Sequence, residues 1–142
     1  MRGRVKRTRP KKGKRPGSMD RYRRHVGTRV SPGVRVSFWG MLGDCAVWIV
    51  DGEQIRDVLF CDFTMGGSDA RYEFIPPREI WIDRNLSSHD RRATLLHEAV
   101  ERGLMIERGW TYGRAHDVAT AKERVFREQT APSRQARYRR AV

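Results

Sequence analysis

The chain has 142 residues and a formal net charge of +13, a length that suits one compact domain. The charge is segregated: residues 1–35 carry 14 Lys/Arg against one acid, Asp20, whereas the other residues carry 16 of each sign. The high pI therefore describes one end of the chain. No apolar run is long enough for a signal peptide or a transmembrane helix, so the expectation is a soluble, cytoplasmic protein with no membrane partner.

Residues 1–33 read as a disordered basic tail and lead-in. The first 18 residues hold one aliphatic side chain, Val5, besides Met1. They cannot bury enough apolar area to offset the entropy of ordering. Met19 offers an alternative start, and Gly17-Ser18-Met19 has the look of an added leader. Dense cations with a single aromatic, Tyr22, predict nucleic-acid binding through phosphates and without base reading. The bland alternative is a solvated tail, in which His25 is also solvated.

The domain proper spans 34–130. Val34 to Phe38 alternates and predicts a short strand. Ala46 to Val50 is β-branched and aromatic, and Asp51-Gly52 behind it predicts a hairpin with Gln54 to Phe60 as the return strand. Residues 64–68 read as a flexible loop. Arg71 to Ile75 predicts a further strand, stopped by Pro76-Pro77. Glu79 to Asp83 predicts another, with Ile80 and Ile82 on one face. Cys45 and Cys61 fit no zinc-ribbon or CxxC spacing and lie in apolar stretches, which points to buried free thiols. Asp62 and Asp83 end strands and read as turn caps.

After residue 86 the period changes from 2 to 3.6. Ser87-Ser88-His89-Asp90 is a capping box, with His89 a solvated cap residue. Leu95, Leu96, Ala99, Val100 and Ile106 follow at helical spacing, and Gly109 suits the C′ position. A second helix begins near Tyr112. Its apolar stripe is Ala115, Val118, Ala119, Val125 and Phe126, with Glu123–Arg127 and Arg124–Glu128 as pairs on its wet side. It ends before Pro132, and residues 131–142 form a basic tail with Arg134, Arg137, Arg139 and Arg140. The fold class is α+β: a small, mostly antiparallel sheet followed by two packed helices.

Chemistry concentrates on these two helices. His97 and Glu101 are four apart and share one helix face, at the edge of the predicted core stripe. Glu98 follows His97 directly and lies beside that pair. Two ligands at i and i+4 can grip a metal from one helix, and a glutamate after the first can activate a water. A catalytic zinc needs a third protein ligand and an open position. His116, near the start of the second helix, is the best candidate, because the short connection 109–113 makes the helices antiparallel neighbours. The bland reading is that Glu98 pairs with Arg102 on the surface, that Glu101 is solvated, and that His116-Asp117 is local capping.

The segment resembles the zincin metallopeptidases, particularly the gluzincin type, which carry His-Glu-x-x-His on one helix and an acidic ligand on a later one. Here the second position holds Glu101 and the later ligand is His116, so two histidines and one glutamate are kept in permuted order. The resemblance implies a zinc ion on His97, Glu101 and His116, Glu98 as general base, and a peptide or protein substrate. Tyr112 is the residue that would serve as oxyanion stabiliser. It also makes Glu79 to Asp83 similar to the zincin edge strand, which holds a substrate peptide above the active-site helix, and the fold a minimal zincin-like domain. More broadly, residues 46–128 are similar to small uncharacterised proteins of phages and mobile elements. The leading reading is a zinc-dependent hydrolase, most simply a small metallopeptidase, localised to nucleic acid by its tail. The rivals are a non-enzymatic accessory protein that binds nucleic acid without sequence preference, and a zincin-like fold that has lost its metal.

Overall fold

The computed structural model describes residues 33–131. The expectations for the basic N-terminal tail, His25 and the C-terminal tail fall outside the described residues, apart from the boundary residues Gly33 and Ala131. The elements in chain order are β1 (Arg35–Leu42), β2 (Cys45–Val50), α1 (Gly52–Val58), β3 (Gly66–Ser68), β4 (Glu79–Asp83), α2 (Ser88–Glu107) and α3 (Tyr112–Thr130). The four strands form one sheet in the order β1-β2-β4-β3. β1–β2 and β3–β4 are antiparallel and β2–β4 is parallel, so the sheet is mixed and mostly antiparallel. The architecture is α+β.

The period-2 alternation of β2 and β4 builds two cores, one on each face of the sheet. Cys45, Val47, Ile49, Ile80 and Ile82 point to the α2 side, where Leu86, Leu95 and Ala99 pack on them. Val50 and Trp81 point the other way, into a cluster with Val34, Ile55, Phe63 and Ile75. A buried aliphatic or aromatic side chain of this kind contributes about 1.5–3 kcal/mol. α3 lies against α2, and α2 in turn contacts β3 and β4.

Three segments depart from the sequence reading. The predicted return strand 54–60 is instead α1. Asp51 caps it, its carboxylate accepting from the Gln54 N–H at 3.1 Å, and Ile55 is its buried anchor. Asp51-Gly52 thus starts a helix and closes no hairpin. Gly52 is needed because a Cβ there would stand 2.1 Å from the Asp83 carboxylate. The predicted flexible loop 64–68 contains the buried strand β3. A Cβ on Gly66 would come within 2.8 Å of Thr94 and of the Trp81 carbonyl, so glycine here permits close approach. The predicted strand 71–75 is a series of turns, with Tyr72 N–H donating to Ser68 C=O at 3.0 Å and Ile75 N–H to Tyr72 C=O at 3.2 Å. The aromatics of that stretch, Tyr72 and Phe74, stack on each other at 5.1 Å and join Phe63, and need no ladder partner.

β4 is formed over 79–83 as expected but is not an edge strand: it pairs with β2 on one side and β3 on the other. The edge beside α2 is β3. Cys45 is buried, whereas Cys61 is exposed because it lies in a surface turn after α1. Asp83 is buried and accepts from the Asn85 N–H at 3.0 Å, as a turn cap should. Among the described residues no helix is long and apolar enough to cross a membrane.

Candidate metal centre

α2 starts where the capping box places it. Ser87 accepts from the Asp90 N–H, and the Asp90 carboxylate accepts from the Ser87 hydroxyl at 2.7 Å. Gly109 leaves the helix with φ 65°, the left-handed turn that glycine permits. Thr111 then caps α3, and the two helices lie side by side. The sequence placed the apolar stripe of α2 at its core, but apart from Ala93 its buried side chains are polar. His97, Glu98, Glu101 and Arg102 are all under one-tenth exposed, whereas Leu95, Leu96 and Val100 are half-buried. Glu98 does not pair with Arg102 on the surface. Arg102 instead donates from Nε to the buried Asp69 carboxylate at 2.7 Å, and Asp69 also accepts from the Arg78 N–H at 2.8 Å.

His97, Glu101 and His116 meet. His97 Nε2 lies 3.2 Å from Glu101 Oε2 and 3.2 Å from His116 Nδ1, and His116 Nδ1 lies 2.8 Å from the same Glu101 oxygen. The three form a group able to hold a cation. On its far side the His97 ring is held by Glu123, with Nδ1 at 2.8 Å from Oε2. Nδ1–H must donate there, because a carboxylate only accepts. In the neutral ring that leaves the Nε2 lone pair directed at Glu101 and His116, whereas in the protonated ring Nε2–H donates to Glu101. Three electron-rich atoms then share one point, an arrangement that requires a proton or a cation between them. Tetrahedral zinc with bonds of about 2.0–2.2 Å separates its ligand atoms by roughly 3.4 Å. Opening the trio by roughly 0.2–0.6 Å meets that geometry, so the donor set fits a borderline cation such as zinc.

Glu123 was placed by the sequence on the wet side of α3. It is half-buried, and its second oxygen accepts from Arg127 Nε at 2.8 Å. Arg127 in turn donates to Asp90 in the capping box of α2. The sequence signal was present: Glu123 lies seven residues after His116, two helical turns along the same face. His89 is not a solvated cap residue: its ring stacks on Phe126 at 5.9 Å and its Nε2 lies 2.8 Å from Thr130 Oγ1.

The trio opens into a cleft of about 260 Å³ walled by α2, α3 and the chain around β3. Glu98 and Tyr112 both line it. Burial first, and then the Glu101 and Glu123 carboxylates, push the Glu98 carboxyl up to about 8, with His97 opposing. A cation on the neighbouring ligands would draw it back down. The hydrogen bond to Glu101 and the surrounding carboxylates raise the His97 imidazole against the effect of burial. Tyr112 packs on His116 with ring centroids 5.2 Å apart, so it forms the wall next to the most exposed member of the trio. Tyr72 and Arg71, placed by the sequence in a strand away from the site, also line the cleft. Burial and the nearby Glu98 carboxylate raise the Tyr72 phenol, which keeps it a proton donor. Comparison with family models, curated proteins and solved structures finds no match to this chain.

Proposed function

We propose that the cleft is the active site of a zinc-dependent hydrolase, most simply a small metallopeptidase, and that the basic tail brings it to nucleic acid without sequence preference. The observation that carries this reading is the convergence of His97 Nε2, Glu101 Oε2 and His116 Nδ1 within 3.2 Å, two nitrogens and one oxygen from adjacent helices. When bound, a zinc ion supplies Lewis acidity, polarising a carbonyl and lowering the pKa of a coordinated water toward 7. The residues around it divide the remaining work. Glu123 fixes the His97 ring and its tautomer, the usual task of a carboxylate behind a ligating imidazole. Glu98 is adjacent to the ligands but bonds to none of them, and takes a proton from attacking water at its carboxylate. Its buried wall of the cleft excludes bulk solvent, which strengthens that transfer. Tyr112 and Tyr72 line the same cleft and serve as hydroxyl donors for the oxygen that becomes negative during attack.

The test is metal content. Protein purified without added metal should carry about one zinc per chain, and His97→Ala and His116→Ala should abolish it. A metal-free chain whose melting temperature ignores both zinc and chelator overturns the proposal. The non-enzymatic alternative is favoured by one observation, the separation of the tail's charge from the domain. It predicts that zinc and the Glu98 carboxylate are dispensable for everything the protein does.

A further inference from the structure

Arg71 stands in the turn after β3, its N–H donating to the Ser68 carbonyl at 3.1 Å. Its guanidinium carbon lies 4.1 Å from the centre of the Tyr112 ring and 5.7 Å from that of Tyr72. Tyr112 in turn packs on the ligand candidate His116. The guanidinium is therefore one aromatic ring out from the metal trio, on the wall of the same cleft. Stacking uses only the flat face of a guanidinium. Its five N–H groups radiate in the plane, in a fork that matches a carboxylate. Among the described residues no carboxylate is paired with Arg71; the cleft acid Glu101 bonds to His97 and His116, and Glu123 to His97 and Arg127.

We propose that Arg71 is a specificity determinant, which receives a carboxylate of the substrate peptide close to the bond being cut. This rests on the peptidase reading above. At about 3.4 Å of extended chain per residue, the guanidinium is in reach of a group one or two residues from the scissile bond. A carboxylate suits the position, because its two oxygens match the planar fork of a guanidinium. A volume of about 260 Å³ also holds one or two peptide residues and no nucleic-acid helix. The carboxylate has two sources, an Asp or Glu side chain or the chain-terminal group. The first makes the enzyme an endopeptidase with an acidic preference, the second one that trims C-termini.

Binding tests this without relying on turnover. Zinc-loaded Glu98→Gln protein is titrated calorimetrically with blocked pentapeptides of alanine carrying Glu or Gln at each position in turn. A second pair consists of alanine pentapeptides with a free or an amidated C-terminus. The expected result is that one acidic peptide binds at least roughly 10-fold tighter than its neutral twin, as a charge-assisted hydrogen bond provides. Arg71→Gln in the same background should erase that ratio, and Arg71→Lys, which keeps the charge without the fork, should retain part of it. Arg71 is exposed, and matching melting temperatures verify that the variants fold. Equal or absent binding of the twins overturns the proposal. So does a preference that survives Arg71→Gln, since the carboxylate is then on the metal. Wild-type cleavage of the same peptides separates the two readings. Discrimination without hydrolysis removes the peptidase and keeps the carboxylate site; hydrolysis without discrimination does the reverse.

Discussion

Glu98 and Glu101 are three residues apart on one helix, yet their chemistry differs. Glu101 gives one oxygen to two imidazoles, whereas Glu98 is buried beside them with a carboxyl raised to about 8. Glu98→Gln should therefore keep zinc and fold and lower hydrolysis by at least about 10²-fold, the ordinary contribution of a general base. Glu101→Gln should lower zinc content itself. Measuring metal by mass spectrometry and turnover on a peptide library separates the two, and equal effects from both substitutions would contradict the assigned roles. Glu123 acts one bond further out. Because it holds His97 through Nδ1, Glu123→Gln should weaken zinc binding by roughly 10–100-fold with all three ligands intact. A competition titration with a chelator of known affinity reads this directly.

At the scale of elements, the position of α2 depends on polar ties at both ends. The buried Arg102–Asp69 pair fastens its C-terminal half to the turns after β3 and before β4. Asp69→Ala leaves a buried guanidinium without this carboxylate and should cost about 3–5 kcal/mol, read by urea unfolding. At the N-terminal end Arg127 and Ser87 hydrogen bonds hold the Asp90 carboxyl below its usual 3.8. A depressed acid contributes stability that is complete above its unfolded value and is lost as pH falls through the folded one. Wild type should therefore lose stability relative to Asp90→Asn as pH falls below about 3.8 toward that lower value, with the larger gap between the two proteins above it. Melting temperatures of both proteins from pH 2 to 6 check the sign. Element identity was legible where the pattern was long. The capping box and the 3.6 period located α2 and α3 to within a residue or so. It was not legible for α1 and β3, whose seven and three residues are decided by contacts with Asp83 and Thr94 far along the chain.

Across the whole molecule, charge and chemistry are separated along the chain. Residues 36–130 carry 12 Lys/Arg and 16 acids, and the positive excess lies outside them. Deleting residues 1–18 should remove most nucleic-acid affinity while leaving the melting temperature and zinc content unchanged. The full-length chain should bind mixed-sequence DNA with little preference and weaken steeply as salt rises. Salt-titrated fluorescence anisotropy of both forms measures it. Affinity that survives the deletion would transfer the interaction to the arginines of residues 131–142 or to the domain.

Local information in the sequence was sufficient to locate the two long helices, the strands β2 and β4 with Ile80 and Ile82 on one face, and the residue types of the candidate site, because caps and periods act within a few residues. His97, Glu98, Glu101, His116 and Tyr112 were all nameable on that basis. Their distances were not, since they depend on how α3 lies against α2. Only the tertiary structure turned the polar face of α2 inward, drew Glu123 from an apparent surface pair to the back of His97, and brought Arg71 and Tyr72 into the cleft. It also replaced β4 by β3 as the edge strand, because pairing order in a sheet is a long-range property that alternation within a strand does not encode.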